Sequence, residues 1–177
     1  ISFGLGVTVG DVNGDQYPDI YVSNDFFERD YLYINQQNGT FKDDLENRVQ
    51  HISHSSMGAD MADVNNDGYP DVFVANDSYE RDYLYMNQGN GTFKDEMENC
   101  IEQNSFSSMG VDVADVNNDG YPDLFTTDML PGDDYRLKTL GAFDNIDLYN
   151  TRIKNGLYRQ FMKNCLMVNN QKGEFIE

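Results

Sequence analysis

The amino-acid sequence predicts an all-β fold built from β-propeller-type blades, and three observations support this prediction. The 177-residue chain repeats itself with a period of 52 residues, and such duplication indicates stacked copies of one supersecondary unit. Each unit contains four short runs rich in Val, Tyr, Phe and Thr, separated by turn residues, as expected for strands. The apolar periodicity of amphipathic helices is absent from the sequence before residue 130. Four antiparallel strands in each repeat describe a propeller blade.

The second repeat shows its four predicted strands in order. Residues 57–62 lead into an acidic loop, residues 71–75 leave it, residues 82–87 follow, and residues 91–95 close the unit. An Asn-Gly dipeptide precedes the last run in the first two repeats, and this dipeptide tolerates the positive φ of a tight hairpin turn. On this pattern the repeats span residues 1–52, 53–104 and 105–177.

The third repeat contains an insertion at about residues 129–158, before the repeat pattern resumes near Asn164. Apolar residues stand among charged ones on both sides of a glycine, which favours one or two short helices. The apolar positions are Tyr135, Leu137, Leu140, Phe143, Ile146, Leu148 and Ile153. We therefore expect a partly helical insertion, to which the sequence assigns no function.

An acidic nonapeptide recurs in each repeat, at residues 11–19, 63–71 and 115–123, with the pattern D-x-N-x-D-x-Y-P-D. Side-chain oxygens at positions one, three, five and nine, together with the backbone carbonyl at position seven, can converge on one hard cation such as Ca²⁺. The residues after position nine are β-formers, so the loop joins two strands. The pattern predicts about three calcium ions, one in each repeat.

An EF-hand loop and a metal-free turn are the two alternative interpretations of the nonapeptide. An EF-hand needs an acidic residue at position twelve and flanking helices, whereas position twelve is Val22, Val74 or Thr126 here. Aspartate and asparagine also cap turns without binding metal. Threefold recurrence of four oxygen side chains at one spacing exceeds what a turn needs and favours the metal. The first loop differs from the others because Gln16 replaces the glycine of position six.

These motifs resemble the FG-GAP/VCBS repeat family, whose blades carry the integrin α-subunit type of calcium hairpin. The resemblance covers nearly all of residues 1–128 and resumes at about residue 160. Met57-Gly58 and Met109-Gly110 stand where the family has Phe-Gly, which is more similar to bacterial secreted proteins of the ASPIC/UnbV and cartilage-acidic-protein type. The resemblance implies a propeller, usually of seven blades, with calcium held between two strands of a blade.

The family motif also implies which residues bind calcium. Carried over position by position, the metal ligands would be Asp11, Asn13, Asp15, Tyr17 and Asp19 in the first loop, Asp63, Asn65, Asp67, Tyr69 and Asp71 in the second, and Asp115, Asn117, Asp119, Tyr121 and Asp123 in the third. The tyrosines would contribute their backbone carbonyls. Calcium would then have a structural role, because it would hold together carboxylates that otherwise repel each other.

Composition limits the classes of partner and the location. The formal net charge is −19 and only 12 residues are Lys or Arg, which argues against binding nucleic acid or an anionic membrane surface. The sequence holds no run of 18 apolar residues, so we expect no membrane insertion. Calcium modules of this kind suit the millimolar calcium outside cells. We therefore expect an extracellular or cell-surface location.

The sequence contains none of the common catalytic motifs, and its polar chemistry recurs with the repeats instead of forming one unique cluster. We therefore expect a non-enzymatic module for adhesion or for binding a protein or glycan ligand. An alternative is a self-assembling structural subunit of an extracellular fibre or surface assembly. Three blades are fewer than a closed propeller needs, and copies of the chain could cover the exposed edges.

Several smaller features complete the set of expectations. Asn38 and Asn90 head N-G-T sequences and are candidates for N-glycosylation at hairpin tips. Cys100 and Cys165 are either one disulfide or two buried thiols. The repeated Glu-Arg-Asp sequence at residues 28–30 and 80–82 predicts a local ion pair beside a turn.

Overall fold

The structure is a computed structural model that describes residues 4–26, 28–77, 80–139, 146–156 and 158–177. These residues form three four-stranded antiparallel sheets, and each sheet draws its strands from one repeat. The first sheet contains β1 (Gly4–Gly10), β2 (Asp19–Asn24), β3 (Tyr31–Asn35) and β4 (Phe41–Asp43). The second contains β5 (Ser56–Ala62), β6 (Asp71–Asn76), β7 (Tyr83–Asn87) and β8 (Phe93–Asp95).

The third sheet follows the same order after an interruption. A short strand, β9 (Asn104–Ser105), precedes β10 (Ser108–Ala114) and β11 (Asp123–Asp128). A second short strand, β12 (Gln160–Phe161), comes before β13 (Cys165–Asn169) and β14 (Phe175–Ile176). The sheet order is β10, β11, β13, β14, while β9 and β12 pair in parallel beside it. The predicted all-β fold with four-stranded antiparallel blades is confirmed.

The insertion in the third blade contains two short helices, α2 (Asp134–Thr139) and α3 (Ile146–Lys154). Its partly helical character was predicted, and the expected apolar residues Leu140 and Phe143 lie outside the described residues. A further one-turn helix, α1 (Met97–Cys100), and a short 3-10 helix at Leu45–Asn47 follow the outer strands of blades two and one. No helix within the described ranges combines the length and apolar character needed to span a membrane.

The hydrophobic core lies between neighbouring blades. One cluster fills the space between the first and second blades, where Leu32 and Ile34 of β3 meet Val72 and Val74 of β6. A second cluster lies between the second and third blades and includes Phe73, Leu84, Leu124 and Met167, each 0 to 1% exposed. Both faces of the second blade are therefore buried, since alternate residues of a strand point to opposite faces.

The first strands of the three sheets, here called the inner strands, are β1, β5 and β10. They approach one another closely, and glycines at equivalent positions allow this. A Cβ atom on Gly6 would lie 3.2 Å from the Cα atom of Gly58, and one on Gly58 would lie 3.6 Å from the Cα atom of Gly110. These three glycines stand one repeat apart. The stacking of blades thus places glycine against glycine, and the approach is tightest at Gly6, where a side chain would displace its neighbours.

Candidate calcium sites

The three acidic loops occupy the same place in every blade. Each loop joins the inner strand to the second strand, and position nine begins the second strand. In each blade, one pair of strand residues lies next to the loop. These pairs are Gly10 with Asp19, Ala62 with Asp71, and Ala114 with Asp123. Position one is separated from position nine by a single hairpin loop, so the sequence alone brings both ends of the nonapeptide together.

Side-chain oxygens in each loop point inwards and accept the loop's own N–H groups. In the second loop, Asp63 accepts hydrogen bonds from the backbone nitrogens of Asp67, at 2.9 Å, and Gly68, at 2.7 Å. Asn65 Oδ1 also accepts from Asp67 N at 2.9 Å, and Asp67 Oδ1 accepts from Tyr69 N at 2.9 Å. The first and third loops repeat these contacts at 2.7 to 3.1 Å. Positions one, three and five are thus directed into one concave loop.

The aspartate at position nine is buried beneath the loop in all three blades. Asp71 Oδ2 accepts a hydrogen bond from Val64 N at 3.0 Å, and its Oδ1 accepts one from Asn87 N at 2.8 Å. Asp19 and Asp123 make the equivalent contacts, at 3.1 and 2.8 Å in both cases. Position nine therefore links the loop to the third strand of its blade.

Burial and neighbouring carboxylates together raise the pKa of the position-nine aspartate in the first two loops. Burial, together with the charges of Asp67 and Asp63, raises the pKa of Asp71 to about 7 against the lowering effect of its two backbone hydrogen bonds. The pKa of Asp19 is raised by the same causes in the first loop. The pKa of Asp15 is lowered instead, chiefly by the hydrogen bond from Tyr17 N. A cation at the loop would relieve this accumulation of carboxylates, because an opposite charge favours their ionised form.

The donor set of each loop fits a hard divalent cation. All its side-chain donors are carboxylate or amide oxygens, which Ca²⁺ prefers, and thiol and imidazole groups are absent from the nonapeptide. Among the residues that the structure describes, no three His, Cys, Asp or Glu side chains are already gathered as a metal-binding group. The oxygens of positions one and five instead accept backbone hydrogen bonds. The ligand assignments, including the carbonyls of Tyr17, Tyr69 and Tyr121, stay predictions.

Position six has a left-handed backbone conformation in every loop. Gly68 and Gly120 have φ values of 91° and 89°, while Gln16 has a φ of 70°. Glycine adopts this conformation without steric cost, whereas other residues are strained there. The first loop therefore keeps the turn of the other two, with strain at Gln16.

Three asparagines at the ends of the third strands hold the position-nine aspartates, although the sequence analysis did not single them out. The backbone N–H groups of Asn35, Asn87 and Asn169 donate to the aspartate carboxylates at 2.8 Å each. Their signal in the sequence is the recurrence of asparagine at the end of an apolar strand. Such a signal does not by itself identify the bonding partner.

The side chains of two of these asparagines join successive loops. Asn87 Nδ2 donates to the carbonyl of Val12 in the first loop at 2.8 Å and to that of Pro70 in the second at 3.2 Å. Asn169 Nδ2 likewise donates to the carbonyl of Val64 at 2.7 Å. Each loop after the first is therefore coupled to the loop before it through one amide group.

The ion pair predicted beside residues 28–30 forms with partners outside this segment. The guanidinium of Arg29 pairs with Asp43 on β4 and with Glu46, and its carbon lies 4.5 Å from the centre of the Tyr31 ring. Asp30 is fully buried and accepts hydrogen bonds from elsewhere. The arginine and the aspartate point in opposite directions because they are neighbours on an extended segment.

The two glycosylation candidates lie at hairpin turns, and the two cysteines are unpaired. Asn38 and Asn90 are exposed, and in both hairpins the threonine two residues later donates to the asparagine Oδ1 through its hydroxyl, at 2.6 Å. This contact closes the turn, and glycosylation stays a prediction. Cys100 and Cys165 are free thiols in the structure, with pKa values raised by burial to about 11 and about 12.

A family model and similar known proteins both indicate the same family. A family model described as an FG-GAP-like repeat matches residues 11–74 and 63–126. Integrin alpha-6 from Gallus gallus is 30% identical over 140 residues, which is 70% of this chain and 13% of the integrin. Integrin alpha-6 from Homo sapiens is 33% identical over 103 residues, which is 51% of this chain and 9% of the integrin. The chain therefore spans a small part of these relatives.

A solved structure gives independent support for the fold. An Agrocybe aegerita lectin, described by its specific recognition of non-reducing terminal N-acetylglucosamine, superposes with a TM-score of 0.51 at 16% identity. The match covers 97% of this chain and 36% of the lectin. At this identity it is evidence of the fold alone. Taken with the matched repeats and their three equivalent loops, these findings establish that the chain belongs to the FG-GAP-like repeat family.

Proposed function

We propose that this chain is a calcium-binding, non-enzymatic extracellular module for adhesion or ligand binding, in which calcium stabilises each blade. The observation that supports the proposal is the threefold recurrence of one loop with four oxygen side chains at fixed positions. A turn alone does not require an asparagine and three aspartates in every copy. Calcium coordination does require several oxygen donors at such a spacing.

In this proposal, the calcium ligands come from the loop and from the strand that follows it. Asp63, Asn65 and Asp67 would hold the ion from the loop, and Asp71 would hold it from the start of β6. A bound calcium ion would supply the positive charge that offsets the three carboxylates. Because Asp71 is also bonded to Asn87 N, a fixed loop fixes the second and third strands of the blade relative to each other. Calcium would therefore stabilise the blade and take no part in a reaction.

The ligand class is proposed from the family and the surface chemistry. The relatives are integrin alpha chains, and the repeated loops leave no unique polar cluster for catalysis. The net charge of −19 disfavours nucleic acid. We infer that the partner is a protein or a glycan, bound outside the cell where calcium is abundant.

A calcium titration tests the metal part of the proposal. Adding a chelator should lower the melting temperature, and calcium should restore it better than magnesium, because magnesium demands a smaller octahedral shell and dehydrates reluctantly. Isothermal titration calorimetry should give about three calcium ions per chain. An unchanged melting curve would contradict the proposal.

A single substitution tests the assignment of ligands. Asp67→Ala should remove one calcium ion per chain and leave the other two sites, because each loop has its own ligand set. Asp112→Ala is a matched control, since Asp112 is an exposed aspartate on β10 outside every loop. Equal stoichiometry in both variants would count against the assignment.

A binding screen tests the adhesion part separately. Fluorescently labelled protein, loaded with calcium, should bind particular spots on arrays of glycans and immobilised extracellular proteins, and chelator should abolish this binding. Binding that persists in chelator at a temperature where the chain is unfolded would show non-specific adsorption. Absence of binding to every class of probe would leave a purely structural module and overturn the adhesion proposal.

A further inference from the structure

In each blade, the hairpin after the third strand lies beside the acidic loop of the same blade. The second residue of this hairpin, here called the hairpin position, is Gln37 in blade one, Gly89 in blade two and Gln171 in blade three. Its backbone N–H donates to the side-chain oxygen of the asparagine that ends the third strand, at 2.9 to 3.0 Å in all three blades. The three turns therefore have the same backbone arrangement, and their side chains differ at this position.

The glutamines at the hairpin position reach the acidic loops of blades one and three. Gln37 Nε2 donates to Asp15 Oδ2 at 3.1 Å, and Gln171 Nε2 donates to Asp119 Oδ2, also at 3.1 Å. The acceptor in both cases is the aspartate of position five, whose Oδ1 accepts the backbone N–H of position seven at 2.9 Å. Each glutamine therefore adds a donor to the second oxygen of a predicted calcium ligand and helps to fix its orientation.

Blade two lacks this contact because its hairpin position is glycine. Gly89 has no side chain that could donate to Asp67, and a Cβ atom there would lie 3.2 Å from the ring of Tyr69. Asp67 Oδ2 accepts a hydrogen bond from Asn65 Nδ2 at 3.0 Å, and the position-five aspartates of the other loops accept the equivalent bond at 3.1 to 3.2 Å. The difference between the blades is therefore the amide from the hairpin.

Loops two and three are a matched pair, because residues 63–71 and 115–123 have the same sequence, D-V-N-N-D-G-Y-P-D. Their predicted calcium ligands are identical, and the hydrogen bonds from the loop backbone to the side chains of positions one, three and five are 2.7 to 3.0 Å long in both. A difference in calcium affinity between these loops must therefore come from residues outside the nonapeptide. The hairpin position is such a residue, and in loop three it contacts a predicted ligand.

The backbone at the hairpin position is left-handed in all three blades. The φ values are 59° at Gln37, 63° at Gln171 and 75° at Gly89. Glycine adopts this conformation without steric cost, whereas glutamine is strained there. Strain that persists at the same position in two blades indicates a role for the side chain, and the side chain here contacts a carboxylate of the acidic loop.

We propose that Gln37 and Gln171 are positioning residues for calcium, so that loops one and three bind the ion more tightly than loop two. This inference rests on the proposed calcium function and adds a difference between the sites. The glutamine amide holds the position-five carboxylate in place before the ion arrives, and hydrogen bonds of this kind to metal ligands raise metal affinity. In loop two the same carboxylate is ordered without the amide. The middle blade is therefore the first to release calcium when its concentration falls.

Titration of the calcium-free 177-residue chain with calcium, in competition with a chromophoric chelator, tests the difference between the sites. Two ions should bind with similar affinity, and the third should bind roughly tenfold more weakly. Asp67→Ala should abolish the weak site, whereas Asp119→Ala should abolish one of the tight sites. Failure to bind any calcium would overturn the proposed calcium function itself. Three ions of equal affinity, or loss of a tight site in Asp67→Ala, would overturn this inference alone.

Gln171→Gly separates the positioning of a calcium ligand from general stabilisation of the fold. The variant gives the third blade the hairpin position of the second, so loop three should bind calcium roughly tenfold more weakly. Urea denaturation in excess chelator should show no loss of stability, because the substitution also removes backbone strain. A residue with only a structural role would lower stability in chelator and leave calcium binding unchanged, and that result would overturn the proposal.

Gln88→Ala is the matched control for this variant. Gln88 is the hairpin glutamine next to Gly89, and its side chain donates to Met86 O at 3.0 Å, outside the acidic loops. Its removal should leave the calcium affinities of all three loops unchanged. A loss of affinity equal to that of Gln171→Gly would show that any change in a hairpin weakens calcium binding, and the role assigned to the hairpin position would be wrong.

Gly89→Gln is the converse substitution and should strengthen loop two. Glutamine already has a similar left-handed conformation in the other two hairpins, but the ring of Tyr69 lies close to the new side chain. The substitution is therefore made in a Tyr69→Ala chain, which keeps the backbone carbonyl that is predicted to bind calcium. Relative to Tyr69→Ala alone, the double variant should bind calcium at loop two several-fold more tightly. Equal affinities of loop two in these two chains would overturn the proposal.

Discussion

Single residues decide how readily each acidic loop folds, and position six is the clearest case. Its left-handed backbone conformation suits Gly68 and Gly120, and a Cβ atom at either would meet nothing within 4 Å. Gln16 adopts the same conformation with a side chain. The strain at position six therefore comes from the backbone conformation and not from contacts with neighbouring residues.

Gln16→Gly should increase stability, because it removes strain of about 1 kcal/mol from a left-handed residue. Part of this gain is offset because glycine has more freedom in the unfolded chain. We expect a net increase of about 0.5 kcal/mol in the free energy of unfolding, measured by urea denaturation with saturating calcium.

Gly68→Ala provides the converse test at the same position of the second loop. The added methyl group has open space, so only the backbone conformation changes in energy, and stability should fall by about 1 kcal/mol. A loss of stability in Gln16→Gly would show that the glutamine side chain contributes more than its backbone costs.

At the scale of strands and loops, the sequence predicted what is local and missed what joins distant residues. Strands β5 to β8 and the acidic loops follow from patterns within one repeat. The contact of Asn87 with Val12 spans 75 residues, and no pattern in a single sequence connects them. The partner of Arg29 was missed as well, since Asp43 lies 14 residues along the chain on the adjacent strand β4. Calcium ligation stays a prediction because the loop oxygens also satisfy the loop's own N–H groups.

Asn87→Ala should weaken two blades at once, since it removes both hydrogen bonds that the amide nitrogen donates and leaves the Val12 and Pro70 carbonyls without this donor. We expect a loss of about 1–3 kcal/mol in the free energy of unfolding and weaker calcium binding at the first two loops. Asn35→Ala is the matched control, because Asn35 Nδ2 reaches only its own blade.

Asn35→Ala should cost less than about 1 kcal/mol. Equal losses in the two variants, measured by urea denaturation, would show that the amide of Asn87 has no role between blades.

Across the whole molecule, buried carboxyl groups join each blade to the next. Asp30 accepts hydrogen bonds from Tyr21 and from Ser56 of the second blade. Asp82 accepts one from Ser108 of the third blade at 2.7 Å. Burial raises the pKa of both groups to about 6 from the ordinary 3.8. Their ionised forms are therefore costly in the folded chain.

Stability should increase as the pH falls from 7 to 5. In this window the folded chain binds protons at Asp30 and Asp82 while the unfolded chain, with pKa values near 3.8, does not. Each group should add about 1 kcal/mol to the free energy of unfolding over these two pH units. Urea denaturation at saturating calcium measures the change without a contribution from the acidic loops, and below about pH 4 the gain ends because the unfolded chain is protonated too.

Asp82→Asn should remove about half of this pH dependence and keep the fold. The third blade already contains the arrangement, since Asn164 stands at the position of Asp82 and its Oδ1 accepts a hydrogen bond from Asp128 N at 2.8 Å, as Asp82 does from Asn76 N. An asparagine at position 82 could accept from Asn76 N and donate to the hydroxyl of Ser108. Asp112→Ala again serves as the control, because Asp112 is exposed and its loss should leave the pH dependence unchanged. If Asp82→Asn retains the full change between pH 7 and 5, the buried carboxyl groups between blades are not its source.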